Sequence, residues 1–489
     1  MADQVIEQPT YLEHIRHFFE EVDLAHMAKI GIDLTTYESL RLRAASVHLR
    51  TMPPTATMPP DPERHWSAER SETFGNWVRT GCPLGQPTVQ PPTTATTDRV
   101  RKDAAALDAD EIARLATAFT GIMERGVDDP QGYFVLAGTH WFPAPNECLH
   151  HEDRFNPWHR AYLRHFEDAL RSVPGCEHVT LPFWDITTTP PAFLEAPPFS
   201  RYTLPQEVHS DYPEGYTTSR FTADEIADQV IARDIAGTIA HASRQPLWGD
   251  FITFTGQGIE AAHDAGHPSC GETLATPDVA SFDPLFWFFH ANWDRLWWEW
   301  QQRMGATTLA TFRSTITGST LFLDPGFNVL PPFPETSDQT IDLTATGVSY
   351  GPPATPPLES VEMVDRARFG SLRAIEAPRL PAAPLASVRL KGIDRLSIPG
   401  TFDAVLRADG AVVGRRTFFQ STSPVDCEAC REKAKIDLDF IVDVDQVLGT
   451  ELTTTIELAR PAPEFGATVP LSVCGDPTLN VRLLVVRPT

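Results

Sequence analysis

Residues 263–300 read HDAGHPSCGETLATPDVASFDPLFWFFHANWDRLWWEW, and this stretch decides how the rest of the chain is interpreted. His263 and His267 are four residues apart, which places both imidazoles on one face of an α-helix, one turn apart. His290 follows within an apolar run. When only two histidines occur at this spacing, they are more often ordinary core or surface residues than metal ligands. Three neutral imidazoles that converge on one point would instead bind copper or zinc.

A second cluster upstream favours the metal site. Residues 138–167 read GTHWFPAPNECLHHEDRFNPWHRAYLRHFE and contain His140, His150 and His159. The last of these begins an amphipathic, aromatic helix that we predict over residues 158–170. Two three-histidine clusters of this kind predict a binuclear site between two pairs of helices. Six imidazoles without a carboxylate favour copper over magnesium, calcium or manganese.

Longer motifs surround these histidines: Cys148-x-His150, Phe155-x-Pro157-Trp158-His159-Arg160-x-Tyr162-Leu163, His263-x-x-x-His267 and Asp283-Pro284-x-Phe286-Trp287-x-x-His290-x-x-x-Asp294-Arg295-Leu296-Trp297. In these motifs the chain resembles the type 3 copper proteins, which comprise tyrosinases (polyphenol oxidases), catechol oxidases and molluscan haemocyanins. These motifs are long and therefore specific, whereas the rest of the chain matches the family only in layout. That layout is similar to a long bacterial or fungal-like member with a C-terminal β domain.

The resemblance implies two copper ions with a bridging oxygen ligand, each held by three histidines. The implied ligands are His140, His150 and His159 for copper A and His263, His267 and His290 for copper B. The resemblance also implies a thioether between Cys148 and His150, which would fix the orientation of that ring. Asp294 and Arg295, one turn after His290, are candidates for hydrogen bonds that orient the ligands or for a structural ion pair.

Two carboxyl groups near the first copper-B ligand are candidate catalytic residues. Glu260 lies one helical turn before His263, where fungal-type tyrosinases carry a glutamate that holds a water. Asp264 follows His263, where the family commonly has asparagine. A base is useful because phenols have a pKa of about 10. Two carboxyl groups would make a stronger base or share one proton, and the alternative is a solvent-facing glutamate with an ordinary helical aspartate.

Composition restricts the class of partner. The 489-residue chain carries a net charge of −25 and is 42% hydrophobic, which argues against nucleic acid and favours a small-molecule substrate. No apolar stretch is long enough to cross a membrane. The resemblance implies phenolic substrates and O₂, and a homo-oligomer stays open. Residues 1–21 have neither the basic start nor the apolar centre of a signal peptide, which predicts a cytoplasmic protein and leaves export with a partner open.

The chain length predicts two domains. Residues 1–345 form the mainly α catalytic domain, with proline-rich irregular segments within 51–98, and the resemblance implies an antiparallel four-helix bundle around a binuclear copper site. Residues 346–384 are a proline-rich linker, and residues 385–489 alternate like an all-β sandwich that covers the first domain. All sixteen histidines lie at or before His290, so the β domain supplies no imidazole ligand.

Local patterns predict several individual elements. An apolar stripe predicts a helix over residues 11–29, and Thr35-x-x-Glu38 predicts the start of a second. Asp108 caps a helix that ends near Gly126. Alternating residues over 436–440 and 442–445 predict strands.

The C-terminal region also contains candidate functional residues. Seven scattered cysteines argue against a disulfide framework. Cys427 and Cys430 form a CxxC pair, which by itself is a structural pair or a redox motif. The resemblance to fungal proenzymes implies that this pair transfers copper, and that a nearby aromatic residue, Phe418 or Phe419, plugs the active site.

Three functions are compatible with these residues. The first is a tyrosinase, which hydroxylates monophenols and oxidises o-diphenols to o-quinones. The second is a catechol or o-aminophenol oxidase without hydroxylation. The third is a haemocyanin-like oxygen carrier, which the single copper unit and the absence of repeats disfavour. The loop 270–281 contains no Phe or Trp that would restrict access for monophenols, and this favours the tyrosinase.

Overall fold

The computed structural model describes most of the chain, in several stretches. The described residues are 5–11, 14–29, 34, 37–83, 99–141, 148–354, 385–425, 431 and 433–484. Much of the predicted linker, residues 355–384, lies outside them, as do the proline-rich residues 84–98 and both Cys427 and Cys430.

The described residues fall into two compact units. The first comprises 1–95, 245–251 and 297–346, and the second comprises 96–244, 252–296 and 347–489. The second unit contains all six predicted ligand histidines and the C-terminal strands. The limits of the two units differ from those of the predicted domains, and the predicted domain boundaries stay a prediction.

Fifteen α-helical segments occur in the described part of the chain. They are α1 (Glu21–Lys29), α2 (Tyr37–Thr51), α3 (Ala68–Arg79), α4 (Ala109–Met123), α5 (Tyr133–Gly138), α6 (Phe155–Arg171), α7 (Ala223–Ala232), α8 (Ile235–Ser243), α9 (Trp248–Ile252), α10 (Ile259–Ser269), α11 (Pro277–Ala280), α12 (Leu285–Arg303), α13 (Leu309–Arg313), α14 (Ser337–Thr340) and α15 (Val444–Val447). None of the described helices combines the length and the apolar character that crossing a bilayer requires.

The predicted helix over residues 11–29 is broken in the first unit. A 3₁₀ turn spans Ile15–Phe18, the backbone is extended at Phe19, and α1 begins at Glu21. Phe18 and Phe19 both pack edge-on against Trp66, which accounts for the break because tertiary contacts override a continuous apolar stripe. Helix α2 begins at Tyr37, close to the predicted start, whereas Thr35 itself lies outside the described residues.

Helix α4 shows how local sequence determines a helix start. The Asp108 side chain accepts a hydrogen bond from the Glu111 N–H, and the Glu111 side chain accepts one from the Asp108 N–H. This reciprocal pair satisfies donors that have no partner within the helix. The predicted cap is therefore confirmed, and the helix ends at Met123, close to the predicted end.

Two helices carry most of the aromatic packing in the second unit. Phe166 of α6 stacks on Trp287 of α12, with ring centroids 3.5 Å apart and an interplanar angle of 8°. This contact brings together the two helices that carry His159 and His290. The predicted four-helix bundle itself stays a prediction.

The strands form three sheets. They are β1 (Arg99–Arg101), β2 (Val348–Tyr350), β3 (Leu385–Asp394), β4 (Phe402–Ala408), β5 (Ala411–Phe418), β6 (Lys435–Asp443), β7 (Leu452–Ala462), β8 (Gly466–Val469) and β9 (Thr478–Leu484). The short β1 and β2 pair in parallel. The others form antiparallel sheets in the orders β6-β3-β9 and β5-β4-β7-β8.

The two C-terminal sheets share one apolar core. Val388 and Leu438 from the first sheet and Phe402 and Ile456 from the second are buried in it. Alternating burial along β6 explains the pattern that predicted this strand. The predicted continuation over 442–445 is confirmed through Asp443 and is wrong for the last two residues, because the chain turns into α15 at Val444, where Asp443 and Gln446 form a reciprocal cap. We call residues 385–484 the β region.

Candidate metal centre

The first three predicted ligands come from two helices and the segment between them. His140 follows the end of α5, His150 lies in an irregular segment, and His159 is in the first turns of α6. One ring nitrogen from each lies within 4.8 Å of the other two. His140 and His159 are buried, whereas His150 is partly exposed.

The second three ligands come from α10 and α12. His263 and His267 lie one turn apart in α10, as their spacing predicts, and His290 is in the second turn of α12. Their ring nitrogens also lie within 4.8 Å of one another, and all three side chains are buried.

The two clusters face each other. The rings of His159 and His290 stack with centroids 4.6 Å apart. The rings of His150 and His263 are 5.3 Å apart. The structure thus brings all six predicted histidines into one site.

Hydrogen bonds orient the rings. The Nδ1–H groups of His140, His159 and His267 face the backbone carbonyls of Pro277 (3.3 Å), Phe155 (2.8 Å) and Leu274 (2.9 Å), respectively. The Nδ1 of His263 lies 3.0 Å from a carboxylate oxygen of Asp264. An acceptor at Nδ1 fixes the tautomer and leaves a free lone pair on Nε2. Metal-binding histidines are usually oriented in this way.

The Nε2 atoms give a direct test of whether the site suits a metal. The Nε2 atoms of His263 and His267 lie 2.9 Å apart, and those of His267 and His290 lie 3.3 Å apart. In neutral rings whose protons are on Nδ1, His263 and His267 present lone pairs to each other, and no proton remains to join them. The Nε2 atoms of His140 and His159 are buried without any hydrogen-bond partner. A soft or borderline cation would satisfy these atoms, so the residues fit copper.

Burial keeps these rings neutral. Desolvation lowers the pKa of His263 well below its ordinary 6.5, and the neighbouring histidines add to the effect. The same cause lowers the pKa of His159 to about 3. Neutral imidazole is the form that binds metals.

A third buried cluster adjoins the histidine triad of His263, His267 and His290. It comprises His151, Glu260 and Asp264, whose ligating atoms also lie within 4.8 Å of one another. The His151 backbone N–H donates to Glu260, and His151 Nε2 lies 2.8 Å from Asp264 Oδ2. Glu260 and Asp264 are therefore together, buried and beside His263, rather than solvent-facing.

The charge state of this cluster follows from its burial. Desolvation raises the pKa of Glu260 well above the ordinary carboxyl value, and the nearby Asp264 raises it further. Desolvation also raises the pKa of Asp264, although the hydrogen bond from His151 opposes this. Two carboxyl groups this close favour one shared proton.

His151 is one residue of this site that the sequence did not predict, because the resemblance points to its neighbour His150 as the ligand. The backbone of His151 has a φ of 62°, in the left-handed region that residues other than glycine rarely adopt. This conformation turns the His151 ring away from His150 towards Asp264. The histidine doublet was the only signal in the sequence.

Asp294 and Arg295 belong to buried ion-pair networks. Asp294 accepts hydrogen bonds from Arg160 (2.6 Å), Arg101 (3.2 Å) and the Tyr350 hydroxyl (2.6 Å). Because Arg160 follows His159 and Asp294 is one turn after His290, this network connects the two ligand helices. Arg295 donates to Asp185 (3.1 Å) and to Asn292 (2.8 Å). Arg101 and Tyr350 could not be found from sequence spacing.

Cys148 lies beside its predicted partner, with its Sγ 2.8 Å from His150 Nδ1. None of the five cysteines in the described part of the chain forms a disulfide. The thioether stays a prediction.

The aromatic pair of the β region enters the site. Phe419 stacks on His267 with centroids 4.0 Å apart and an interplanar angle of 10°. It also lies edge-on to His150 at 5.3 Å. Phe418 instead stacks on His151 at 4.2 Å. The structure therefore distinguishes the two: Phe419 contacts two of the predicted ligand histidines, whereas Phe418 contacts the adjacent cluster.

Comparisons with known proteins identify the family. Residues 130–245 and 198–303 match the common central domain of tyrosinase. A tyrosinase from Streptomyces glaucescens is 29% identical over 235 residues, which are 42% of this chain and 83% of that protein. Hemocyanin 1 from Megathura crenulata is 32% identical over 222 residues, which are 41% of this chain but only 6% of that protein. The chain thus spans a small part of the haemocyanins it matches.

The fold supports the same relationship. A solved tyrosinase from Burkholderia thailandensis aligns with a TM-score of 0.59 at 20% identity, covering 78% of this chain and 100% of that one. The central-domain match, the tyrosinase relative and this shared fold agree with the six-histidine geometry. Residues 130–303 therefore carry the central domain of the tyrosinase family of type 3 copper proteins.

Proposed function

We propose that this chain is a tyrosinase that hydroxylates monophenols and oxidises o-diphenols to o-quinones with O₂. The observation that carries the proposal is the set of inward-facing Nε2 lone pairs, above all the 2.9 Å approach of His263 and His267. The proposed ligands are His140, His150 and His159 for copper A and His263, His267 and His290 for copper B. When bound, the two coppers would supply the binding and two-electron reduction of O₂.

The protein holds the ligands rigid and excludes water. Carbonyls and Asp264 fix the ring tautomers of four ligands, so little reorganisation accompanies metal binding. The ring centroids of Phe286 and His290 are 4.0 Å apart, and those of Phe155 and His159 are 4.7 Å apart. These contacts support a shell of aromatic rings that excludes water. A dry site strengthens the electrostatic interactions within it.

We assign proton transfer to the buried carboxyl pair. Glu260 would take the phenolic proton. A second proton would lie beside it, in the hydrogen bond between His151 and Asp264. Burial and the neighbouring Asp264 raise the pKa of Glu260 well above that of an ordinary carboxyl group, which would make it a stronger base than a solvent-exposed glutamate.

We further propose that the β region covers the active site. Phe419 would occupy the position of a substrate ring, because it stacks on His267 as a bound phenol would. The covered chain would be latent until the β region moves away. Cys427 and Cys430 would deliver copper, and the cysteine thioether would lock His150.

One observation favours a second candidate function. Glu260 already accepts a hydrogen bond from the backbone N–H of His151, so part of its capacity to accept a proton is taken up within the protein. A site in which Glu260 is not available as a base would still oxidise catechols, which lose a proton more readily, but would not hydroxylate monophenols. The second candidate is therefore a catechol or o-aminophenol oxidase.

The test compares a monophenol with its catechol. Copper-loaded full-length protein and its Phe419→Ala variant are assayed on 4-methylphenol and 4-methylcatechol, with the lag phase recorded. We expect both substrates to be oxidised, and Glu260→Gln to reduce monophenol turnover far more than catechol turnover. Glu152→Gln is the matched control, because Glu152 is nearby but pairs with Arg154.

The outcomes separate the candidates. Oxidation of the catechol alone would establish the second function. Reversible O₂ binding without turnover of either compound would identify an oxygen carrier and contradict both enzymes. Equal losses on both substrates in Glu260→Gln would assign Glu260 a structural role.

A further inference from the structure

Phe419 contains the skeleton of an arylethylamine. Its backbone nitrogen, Cα, Cβ and ring are connected as in 2-phenylethylamine. The ring stacks on His267 at 4.0 Å, and the backbone N–H points at Asp264 Oδ2, 3.5 Å away. The side chain thus places a ring at the metal site and a nitrogen donor, two carbons from the ring, at a carboxylate.

Asp264 is arranged as an acceptor. Its Oδ1 lies 3.0 Å from the Nδ1 of His263, and its Oδ2 lies 2.8 Å from the Nε2 of His151. The Phe419 N–H is the third donor and the most distant. A carboxylate accepts hydrogen bonds at both oxygens, and such bonds are stronger when the donor is also charged. The Phe419 N–H is neutral and distant, so a charged donor in its place would form a stronger hydrogen bond with Asp264.

The β region meets this cluster with positive charge. Arg395 acts electrostatically on Asp264, and Lys433 acts on Glu260 and donates to the His151 carbonyl at 2.6 Å. Both cations belong to the β region and would leave with it. The surface that they cover is thus complementary to a cation as well as to an aromatic ring.

We propose that Asp264 selects phenols that carry an ammonium group two carbons from the ring. The ring would replace that of Phe419 on His267, and the ammonium would replace its N–H at Asp264. Arylethylamines would be preferred to neutral alkylphenols and to arylpropanoates, whose carboxylate would face Asp264. The inference rests on the proposed function, because the β region must first give access.

The test uses the copper-loaded full chain with Phe419→Gly. Glycine removes the ring and Cβ and lets the backbone yield to a ligand. The kcat/KM is measured for dopamine, for 4-propylcatechol as its neutral isostere and for 3-(3,4-dihydroxyphenyl)propanoate. Asp264→Asn and, as a matched control, Asp278→Asn are added to this parent. Asp278 is a second buried carboxylate, but it accepts from Ser421 rather than from Phe419.

We expect the parent to prefer dopamine to 4-propylcatechol by about tenfold or more, the range of a hydrogen bond to a charged group. Asp264→Asn should remove that preference and Asp278→Asn should retain it. The ratio of two substrates cancels differences in copper content between variants. Equal kcat/KM for dopamine and 4-propylcatechol in the parent, or a preference that persists in Asp264→Asn, would overturn the proposal.

A binding measurement separates this inference from the proposed function. Copper-free parent is titrated calorimetrically with 2-phenylethylamine and with 2-phenylethanol, its neutral counterpart of equal length; neither compound is a phenol. Tighter binding of the amine that Asp264→Asn abolishes supports the inference even if no catechol is oxidised, in which case only the proposed function falls. Equal binding of the two compounds refutes the selection by Asp264 whatever the activity.

Discussion

Removal of the Phe419 ring is the most informative perturbation of this protein. The ring is 1% exposed and stacks on His267, 4.0 Å away. Burial of a phenylalanine contributes about 1.5–3 kcal/mol, and an aromatic pair adds about 0.5–1.5 kcal/mol. Phe419→Ala should therefore shift the closed–open equilibrium by about 2–4 kcal/mol, or roughly one and a half to three decades towards open.

The assay is steady-state oxidation of 4-methylcatechol by copper-loaded full-length protein. Where closure limits access, kcat/KM should rise in Phe419→Ala until the open form dominates. Phe402→Ala is the control, because Phe402 is equally buried within the β region but packs on Phe418 rather than on a ligand histidine. It should lower the melting temperature without raising kcat/KM below the unfolding transition. An equal rise in both variants, or none in Phe419→Ala at equal copper content, would refute a plug.

Three further predictions concern the metal, the cover and copper delivery. His263→Ala should lower the copper content from two ions to one and abolish oxidation, and full copper content with an intact catechol rate would contradict the ligand set. Burial raises the pKa of Asp278 above its ordinary 3.8, so the form closed by the β region holds this proton more tightly than an open form in which Asp278 is solvated. Mild acidification should therefore favour the closed form and raise the apparent KM. Asp278→Asn should reduce that pH dependence. Cys427→Ser with Cys430→Ser should slow copper loading from Cu(I) donors with an unchanged melting temperature, and loading at the normal rate would remove the delivery role.

Sequence reasoning succeeded where one element determines the geometry by itself. A helix places residues four apart on one face, so His263 and His267 could be paired from spacing alone. The cap of α4 needs only Asp108 and Glu111, three residues apart. Alternation along β6 likewise follows from the strand period, with no knowledge of the partner strand.

It failed where a neighbour distant in sequence decides the outcome. Nothing within residues 11–29 indicates that Trp66 will draw Phe18 and Phe19 together and end the helix. One partner of Asp294 is Arg101, 193 residues away in the chain. An ion pair could be suspected at Asp294 from its type and position, but its partner required the tertiary structure.

Asp264 combines both situations, and this explains why its role was the least predictable. Its bond to His263 is local and follows from adjacency in α10. Its other contacts come from His151, 113 residues earlier, and Phe419, 155 residues later. The first of these depends on a left-handed backbone at His151, which sequence patterns do not predict for a non-glycine residue. Since one carboxylate contacts a ligand ring, a second histidine and the covering loop, a change at any of the three alters the hydrogen bonding available to the other two. The free energies of ligand orientation and of closure are then coupled through Asp264, and by linkage each must affect the other equally.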